Sequence, residues 1–251
     1  MWGVVLRSPH NLFMKFKIQK ISKEIYKVTE PYFLEHANIF IFCGKSFDLV
    51  VDSGIGLENI KSFLVTKGFN PKLFLTHGHF DHCGGLQYFQ ASDVLMMPKV
   101  MTSLSNRELL GLDYLDAKYF AQDAGKFSRK DIALFVSGFE VSVTKNMKAC
   151  NDNIISNGGF SFEVLHAPGH TNDSYVLFDS TRKILVTGDA FYDGEIYASF
   201  SNSNTQHFLA SLKKMRKLDF DIVFPGHNEI MDRKHALGVV GRWIRILSQT
   251  K

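Results

Sequence analysis

The residues with the clearest chemical potential lie in one short stretch, 76–82, which carries three histidines and an aspartate. The stretch follows a short apolar run that predicts a buried strand, so it should form the loop at the carboxyl end of that strand. Side chains two apart on extended backbone point the same way, so His77 and His79 can converge on one point. Asp81 and His82 lie past the bend and can aim at a second point nearby. Imidazole and carboxylate groups are ligands that zinc, iron and manganese accept, so the stretch predicts a metal site.

Further polar residues follow later apolar runs in the same way. His170 comes after Ala-Pro-Gly, Asp189 after Thr-Gly and His227 after Phe-Pro-Gly. Asp52 ends an earlier apolar run, and its local sequence fits a site residue and a turn-forming residue equally well. His166 differs because it lies within a predicted strand, where a satisfied core histidine is the favoured interpretation.

The composition is that of an ordinary globular protein and argues against several classes of partner. Of 251 residues, 45% are hydrophobic and 22% are charged, and the formal net charge is +4. No block of like charge predicts a nucleic-acid-binding surface, and no apolar run is long enough to span a membrane. Neither a nucleic-acid partner nor a membrane span is therefore expected, and the small-molecule substrate that we expect follows from the site chemistry described below. The three cysteines are odd in number, widely spaced and without a CxxC pair, which predicts free thiols and a cytoplasmic location.

The element pattern predicts two successive series of strands and helices. Strands are predicted on either side of 22–23 within 15–29, and at 38–43, 47–51, 72–75, 93–97, 139–143, 160–166, 175–179, 183–187 and 221–224. Helices are predicted at 57–67, 86–89, 205–218 and from 232 onward. Residues 98–135 are mostly helical in character and are interpreted as extra core in preference to a lid.

No linker separates the two series, so residues 14–251 are predicted to form one domain. Residues 1–13 lack the continuous apolar core of a signal peptide. They are interpreted as an upstream translation extension or a disordered arm.

Five motifs together carry a resemblance to a known family. They are Val-Val-Asp-Ser-Gly at 50–54, Thr-His-Gly-His-Phe-Asp-His at 76–82, Ala-Pro-Gly-His-Thr at 167–171, Thr-Gly-Asp at 187–189 and Phe-Pro-Gly-His at 224–227. In this order the chain resembles the metallo-β-lactamase superfamily. The resemblance implies an α/β fold, a four-layer αββα sandwich of two similar halves with a helical insert at about residues 98–135. It also implies two metal ions at the edge between the sheets.

The resemblance assigns a role to each strand-end residue. Three histidines would hold the first metal ion: His77, His79 and His170. Three further residues would hold the second: Asp81, His82 and His227. Asp189 would bridge both ions, and Asp52 would orient a ligand histidine, as metal-bound imidazoles usually require. Two divalent ions are expected, with zinc favoured and iron or manganese as alternatives.

The chemistry expected of such a site is hydrolysis. Two divalent ions about 3.5–4 Å apart lower the pKa of a shared water to near 7, giving a bridging hydroxide at neutral pH. Asp81 could shuttle the proton of this nucleophile. No GxSxG elbow or phosphate-binding loop motif offers a competing account. The sequence therefore predicts a metal-dependent hydrolase.

Position 192 bears on the substrate. True β-lactamases usually have Cys or Ser where this chain has Asp189, and some have Lys where it has Tyr192. A tyrosine there is similar to acyl-homoserine lactonases and to acyl-CoA thioesterase-like members, and its phenol could stabilise an oxyanion. A tyrosine that only packs on the loop is the alternative. Residues 30–32, 36–39 and 189–194 also look like the thioesterase-like branch. We therefore expect a thioester or lactone carrying an apolar group.

Other functions stay open from sequence alone. They are a glyoxalase II-like thioesterase, a mononuclear-iron persulfide dioxygenase, a phosphodiesterase or RNase-like hydrolase, and a non-catalytic metal-binding regulatory protein. The basic glutathione-binding residues of the first have no evident counterpart here, and no exosite arm supports the nuclease. Cys83 directly follows a ligand, which predicts that its side chain points away from the metals.

Overall fold

The chain builds two β-sheets in succession, and a computed structural model describes residues 15–120, 127–141, 146–195 and 197–249. The first sheet contains, in spatial order, β1 (Lys17–Lys20), β2 (Ile25–Thr29), β3 (Asn38–Phe42), β4 (Asp48–Val51), β5 (Pro71–Phe74) and β6 (Val94–Leu95). The second contains β7 (Ile154–Ser156), β8 (Ser161–His166), β9 (Tyr175–Asp179), β10 (Ile184–Gly188), β11 (Ile222–Pro225) and β12 (Met231–Asp232), also in sequence order across the sheet.

The described helices lie between and after these strands. They are α1 (Ile60–Thr66), α2 (Phe80–Cys83), α3 (Pro98–Leu104), α4 (Arg129–Ser137), α5 (Thr205–Met215) and α6 (Arg233–Gln249). Short 3-10 turns span Gly84–Tyr88, Ala91–Asp93, Arg107–Leu109, Leu112–Tyr114 and Ala117–Tyr119. Within the described ranges, none of the helices is both long and apolar enough to cross a bilayer.

The two sheets pack face to face through aromatic side chains. Phe40 lies edge-on to Phe224 with ring centroids 5.1 Å apart, and Phe42 contacts Phe162 at 5.0 Å. Because side chains alternate along a strand, the other face of each sheet is left for helices. Leu185, for example, belongs to the cluster formed with α5 and α6. The predicted αββα sandwich is confirmed.

The order of parallel strands decides where the site lies. Each sheet has an antiparallel part and a parallel part, formed by β4, β5 and β6 in the first sheet and by β10 and β11 in the second. The carboxyl ends of parallel strands meet at one edge of a sheet. The polar loops that follow these strands are thus brought to the same edge of the sandwich.

The insert at 98–135 is built from α3, three 3-10 turns and the start of α4, and residues 121–126 lie outside the described ranges. Its apolar side chains Val100, Leu110 and Ile132 are buried in the main core. Tyr114 and Tyr119 instead line a cavity beside the site. The insert is therefore mainly core, as predicted, and one edge also forms part of the cavity wall.

Some element boundaries were predicted wrongly. No strand forms over 139–141, and 142–143 lie outside the described residues. The apolar side chain of Phe139 is buried against Phe80 and Phe135, and its backbone joins no strand. Strands β7 and β12 were missed because they have only three and two residues. The first long helix begins later than predicted, at Ile60, because the Asn59 side chain caps it by accepting the Ser62 N–H. The predictions for residues 1–13 lie outside the described ranges.

Candidate metal centre

Seven histidines and aspartates predicted as ligands come from four strand ends. Two follow β5, two lie in α2, one lies between β8 and β9, and one each follows β10 and β11: His77, His79, Asp81, His82, His170, Asp189 and His227. All are buried except His227, which is partly exposed. The structure brings all seven together.

The first cluster is formed by three imidazoles. His77, His79 and His170 offer ligand atoms within 4.8 Å of one another. The Nδ1 of His79 lies 3.0 Å from the Nε2 of His170. The Nε2 of His77 is buried and has no hydrogen-bond partner among the described residues. A buried polar atom of this kind needs an explanation, and a cation is one that fits.

The second cluster combines histidine with a carboxylate. His82, His227 and Asp81 likewise offer atoms within 4.8 Å. The Nε2 atoms of the two histidines lie 3.3 Å apart, and His227 Nε2 is 3.3 Å from an Asp81 oxygen.

Asp189 lies between the two clusters. One of its oxygens is 3.5 Å from His170 Nε2 in the first cluster and 3.4 Å from His227 Nε2 in the second. The other is 3.3 Å from His82 Nε2. Gly188 before it has a φ of +49°, and a Cβ at that position would collide with Thr76. The Thr-Gly-Asp motif therefore needs glycine to bring the carboxylate into the centre.

A single carboxylate orients histidines of both clusters. His82 donates through Nδ1 to Asp52 over 2.8 Å. Thr76 Oγ1 donates to Asp52 over 2.9 Å and lies 3.0 Å from His77 Nδ1, so it can accept the His77 proton. Asp52 has a φ of +64°, an unusual value for a residue with a Cβ. The Thr76 N–H, which donates to Asp52 over 2.8 Å, helps hold this conformation at the site.

The third oriented histidine uses a backbone partner. The Nδ1 of His170 donates to the Tyr197 carbonyl over 2.7 Å. In His77, His82 and His170, therefore, a hydrogen-bond partner holds the outer Nδ1, and the inner Nε2 faces the centre of the site. Outer partners of this kind are what metal-binding histidines require. The donor set and its orientation fit divalent ions.

The two clusters differ in protonation. Burial, with the neighbouring imidazoles, lowers the pKa of His77 far below its usual range and that of His79 to about 3. In the second cluster burial also opposes the charged form, but nearby carboxylates, Asp189 foremost, outweigh it. They raise the pKa of His227 to about 10 and that of His82 well above its usual range.

A cavity of about 430 Å³ opens onto both clusters. Phe33, Tyr114, Tyr197 and Phe200 supply much of its apolar wall. Tyr192 also lines it, with its ring 5.3 Å from that of His227. Burial, followed by the charge of Asp189, raises the pKa of the Tyr192 hydroxyl far above 10, so this group stays protonated.

Some contacts around the site were missed from sequence. Thr76 could have been noticed, since it directly precedes the first ligand. Asp173 gave no signal, because the Gly78 N–H that donates to it over 3.0 Å is 95 residues away.

Two sequence predictions about residues beside the site have different outcomes. Cys83 is buried with its sulfur 3.4 Å from the Gly78 carbonyl, and it joins none of the described ligand clusters. The prediction of a core location for His166 was wrong: its ring is exposed, and its Nε2 lies 2.8 Å from the Asn172 carbonyl.

The sequence also matches a family model. The model for the metallo-beta-lactamase superfamily matches residues 33–94 and 117–227, more than half of the chain. The chain belongs to the metallo-β-lactamase superfamily. The resemblance seen in the motifs is confirmed at this level, and the histidine and aspartate clusters indicate divalent-metal binding by this member.

Curated relatives of this superfamily member include proteins named as enzymes. It is 28% identical over 246 residues to "Acyl-coenzyme A thioesterase MBLAC2" of Gallus gallus, covering 91% of this chain and 86% of the relative. It is 27% identical over 186 residues to "Hydroxyacylglutathione hydrolase GloC" of Haemophilus influenzae, covering 71% and 78%. These relatives support a metal-dependent hydrolase.

Solved structures support the same fold. A metallo-beta-lactamase from Pontibacter korlensis matches with a TM-score of 0.66 at 17% identity, covering 94% of this chain and 100% of that one. A metallo-beta-lactamase family protein from Thermus thermophilus matches with a TM-score of 0.68 at 16% identity, covering 91% and 81%. At such identities the likeness extends to the fold alone.

Proposed function

We propose that this protein is a dinuclear-metal thioesterase that hydrolyses an acyl thioester by attack of a bridging hydroxide. The observation that carries the proposal is the convergence of the inner Nε2 atoms of His77, His82 and His170, each ring being fixed by a hydrogen bond on its outer nitrogen. The Asp189 carboxylate lies between the two clusters at 3.3–3.5 Å. This is a ligand set for two ions sharing one carboxylate.

The proposed ligands follow the two clusters. Three imidazoles serve the first ion: His77, His79 and His170. Two imidazoles and a carboxylate serve the second: Asp81, His82 and His227. Asp189 serves both, and Asp52 orients His82 directly and His77 through Thr76. When bound, two divalent ions, zinc in the first instance, would supply a hydroxide at neutral pH and polarise the substrate carbonyl.

Two side chains have further proposed roles. Asp81 belongs to the second cluster and lines the cavity, and its carboxylate can hold the proton that the attacking group loses and pass it to the leaving sulfur. Tyr192 lines the cavity and its hydroxyl is protonated, so we propose that it donates to the carbonyl oxygen as negative charge develops there. Such a donor acts mainly on kcat, because its interaction strengthens in the transition state.

The substrate class rests on the surroundings of the clusters. The cavity wall is rich in aromatic side chains, which suits an apolar acyl group. Curated relatives similar over most of their length are named acyl-coenzyme A thioesterases. An acyl-CoA-type thioester agrees with both observations and is preferred over a lactone.

The experiment combines elemental analysis with a substrate panel. Purified protein is expected to carry two zinc ions per chain and to hydrolyse acyl-CoA esters of several chain lengths. Acyl lactones, phosphodiesters and glutathione persulfide are assayed alongside. One iron per chain with oxygen uptake on the persulfide would contradict the proposal, as would activity confined to phosphodiesters.

A Tyr192→Phe variant tests the proposed oxyanion donor. Loss of one such donor typically lowers kcat about 10²–10³-fold. The variant should keep its metals and its folded state, since only a hydroxyl is removed. An unchanged kcat in the metal-loaded variant would reduce Tyr192 to a packing role.

We also propose that residues 14–251 fold as one domain and act in the cytoplasm. The aromatic contacts of Phe40 and Phe42 with Phe224 tie the two sheets into one core. The three cysteines are free, as expected in a reducing compartment. A single cooperative unfolding transition by two spectroscopic probes, and fractionation of the native protein, test these two statements.

A further inference from the structure

One face of the β1–β2 hairpin is on the same side as the surface that packs against the second sheet, but β1 itself is exposed. In the strand register Gln19 pairs with Lys27, and Lys27 pairs with Phe40 on β3. Paired residues share a face, and the Phe40 ring contacts Phe224 of the second sheet. Lys27 and Gln19 therefore lie on the inner face. Lys17, two residues before Gln19, lies on the same face.

Lys27 reaches from this face to the metal centre. It is half-buried and lines the cavity. Its Nζ donates to the Asn228 carbonyl over 3.2 Å, and Asn228 directly follows the proposed ligand His227. The ammonium group is thus held at the side of the cavity that belongs to the second cluster.

Lys17 extends the positive charge outward from Lys27. It pairs with Thr29, so it is the diagonal neighbour of Lys27, a relation that spans roughly 7–8 Å. His36 lines the same side of the cavity, and its pKa is lowered by burial with smaller contributions from Lys27 and Lys17. Lys27 therefore lies in the cavity wall, and Lys17 lies beside it on the same face of the hairpin, outside the lining residues.

These two charges are not neutralised by close ion pairs. Among the described residues, neither Lys17 nor Lys27 has a carboxylate within ion-pair distance. Glu24, the acid of the hairpin, pairs with Arg182 at 3.0 Å. Glu229 and Glu35 line the cavity rim, and the charge of Glu229 partly offsets the effect of burial on the pKa of Lys27. Two ammonium groups without a close carboxylate partner suit an anion with several oxygens.

The opposite side of the cavity has a different character. The Phe200 ring lies 4.3 Å from the His79 ring and 5.3 Å from that of Tyr114. Tyr114 in turn lies 5.3 Å from Tyr197. This aromatic wall, formed by Tyr114, Tyr197 and Phe200, flanks the first cluster. The cavity is therefore aromatic on the side of the first cluster, whereas the side of the second carries the Lys27 ammonium group, and Glu35, Glu195 and Glu229 also line the cavity.

We propose that Lys17 and Lys27 form a subsite for the phosphate groups on the thiol side of the substrate. The acyl group then lies against the aromatic wall, and the leaving thiol extends past the second cluster along the hairpin. This inference rests on the proposed thioesterase function and adds to it the orientation of the substrate and the charge of its leaving group.

The experiment compares two thioesters that share one acyl group. Hexanoyl-CoA carries the phosphates, whereas S-hexanoyl-N-acetylcysteamine has the same thioester bond and none. Lys17→Gln should lower kcat/KM for the CoA ester about tenfold, the usual weight of one charge-assisted hydrogen bond, and mainly through KM. The loss should be confined to the CoA ester. Added salt should weaken turnover of that ester in the wild type and less so in the variant.

Lys20→Gln is the matched control. Lys20 lies on the same strand, but it pairs with Tyr26 on the outer face, with its Nζ 5.8 Å from the Tyr26 ring. Its loss removes the same charge from the same hairpin and should leave both esters unaffected. Lys27→Gln should act like Lys17→Gln, and the uncharged ester reports any disturbance of the loop that carries His227.

Binding of coenzyme A to the metal-loaded protein, measured by calorimetry, separates the two proposals. Binding that Lys17→Gln weakens, in a protein that hydrolyses neither ester, would support the subsite and reject the thioesterase. Turnover of both esters with equal losses in Lys17→Gln, with no loss, or with the same loss in Lys20→Gln, would overturn the subsite and leave the thioesterase standing. No turnover and no Lys17-dependent binding would reject both.

Discussion

The two ligand clusters lie side by side, yet they handle charge in opposite ways. The first consists of three buried histidines whose pKa values are all lowered, chiefly by burial. The second sets His82 and His227 against carboxylates, and their pKa values are raised. In the metal-free protein the first cluster is therefore neutral, and the second is charged and internally paired.

The centre therefore prepares its ligands by two routes. In the first cluster, burial keeps the imidazoles deprotonated, and Thr76 and the Tyr197 carbonyl hold the outer nitrogens of His77 and His170. The lone pairs are ready for a cation. In the second cluster, the imidazoles of His82 and His227 are protonated, and their positive charge is paired with the nearby carboxylates. A metal ion entering there must displace the protons.

Removal of a ligand should have the largest effect. His77→Ala should lose the first ion, and His227→Ala the second, since each cluster then keeps too few donors. Activity should fall at least about 10³-fold in both, because metal assistance contributes several kcal/mol to the barrier. Elemental analysis and turnover measure this. His207→Ala, on the exposed face of α5, is the control. Two retained ions with wild-type turnover in His77→Ala would show that the first cluster is misassigned.

The next largest effect is expected in the pH dependence of metal affinity, because protons compete with the metal ion at the second cluster and not at the first. His227 has a raised pKa of about 10, so it is protonated at neutral pH before metal enters. Each displaced proton should weaken affinity for the second ion about tenfold for every unit that pH falls. The first ion should show little dependence, because the pKa of His79 is about 3. Competition with a chromophoric chelator at pH 6, 7 and 8 measures both steps. Equal slopes for the two ions would remove the distinction.

Loss of an orienting hydroxyl should act mainly on the first cluster. Thr76→Val keeps the shape of the side chain but removes the acceptor for His77 Nδ1. Affinity for the first ion should fall about 10–100-fold, as for other outer partners of metal ligands. Thr76→Ser restores the hydroxyl and should recover most of the affinity. A Val variant that binds as tightly as the Ser variant would contradict the orienting role.

The smallest effect is expected at Cys83. Its sulfur contacts the Gly78 carbonyl and no ligand cluster, so Cys83→Ser should keep both ions. The free energy of unfolding should change by only about 1 kcal/mol, since a hydroxyl can make the same contact. Metal content and a urea titration measure this. Loss of one zinc equivalent would mean that the thiol contributes to the second cluster after all.

The ligands and the fold could be predicted from the sequence because their signals are local. Coordination requires particular side chains, and in 76–82 they stand next to a strand within a few residues. The other three ligands stand beside glycine at later strand ends. The order of these motifs was enough to indicate the αββα sandwich. The strand predicted at 139–143 does not form over the described residues 139–141, because an apolar run has the same pattern in a strand and in a buried loop.

The hydrogen-bond partners of the ligand residues, and the residues that surround them, depend on the tertiary structure and could not be predicted from the sequence. Asp52 reaches His82 thirty residues away, and the Gly78 N–H reaches Asp173 across 95. Alternation along a strand places Lys17 and Lys20 on different faces of β1, but it does not say which face borders the cavity. That choice was made when the second sheet packed against Phe40 and left the inner face of the hairpin beside His227. Such pairings depend on register and docking between distant segments, which local residue patterns do not encode.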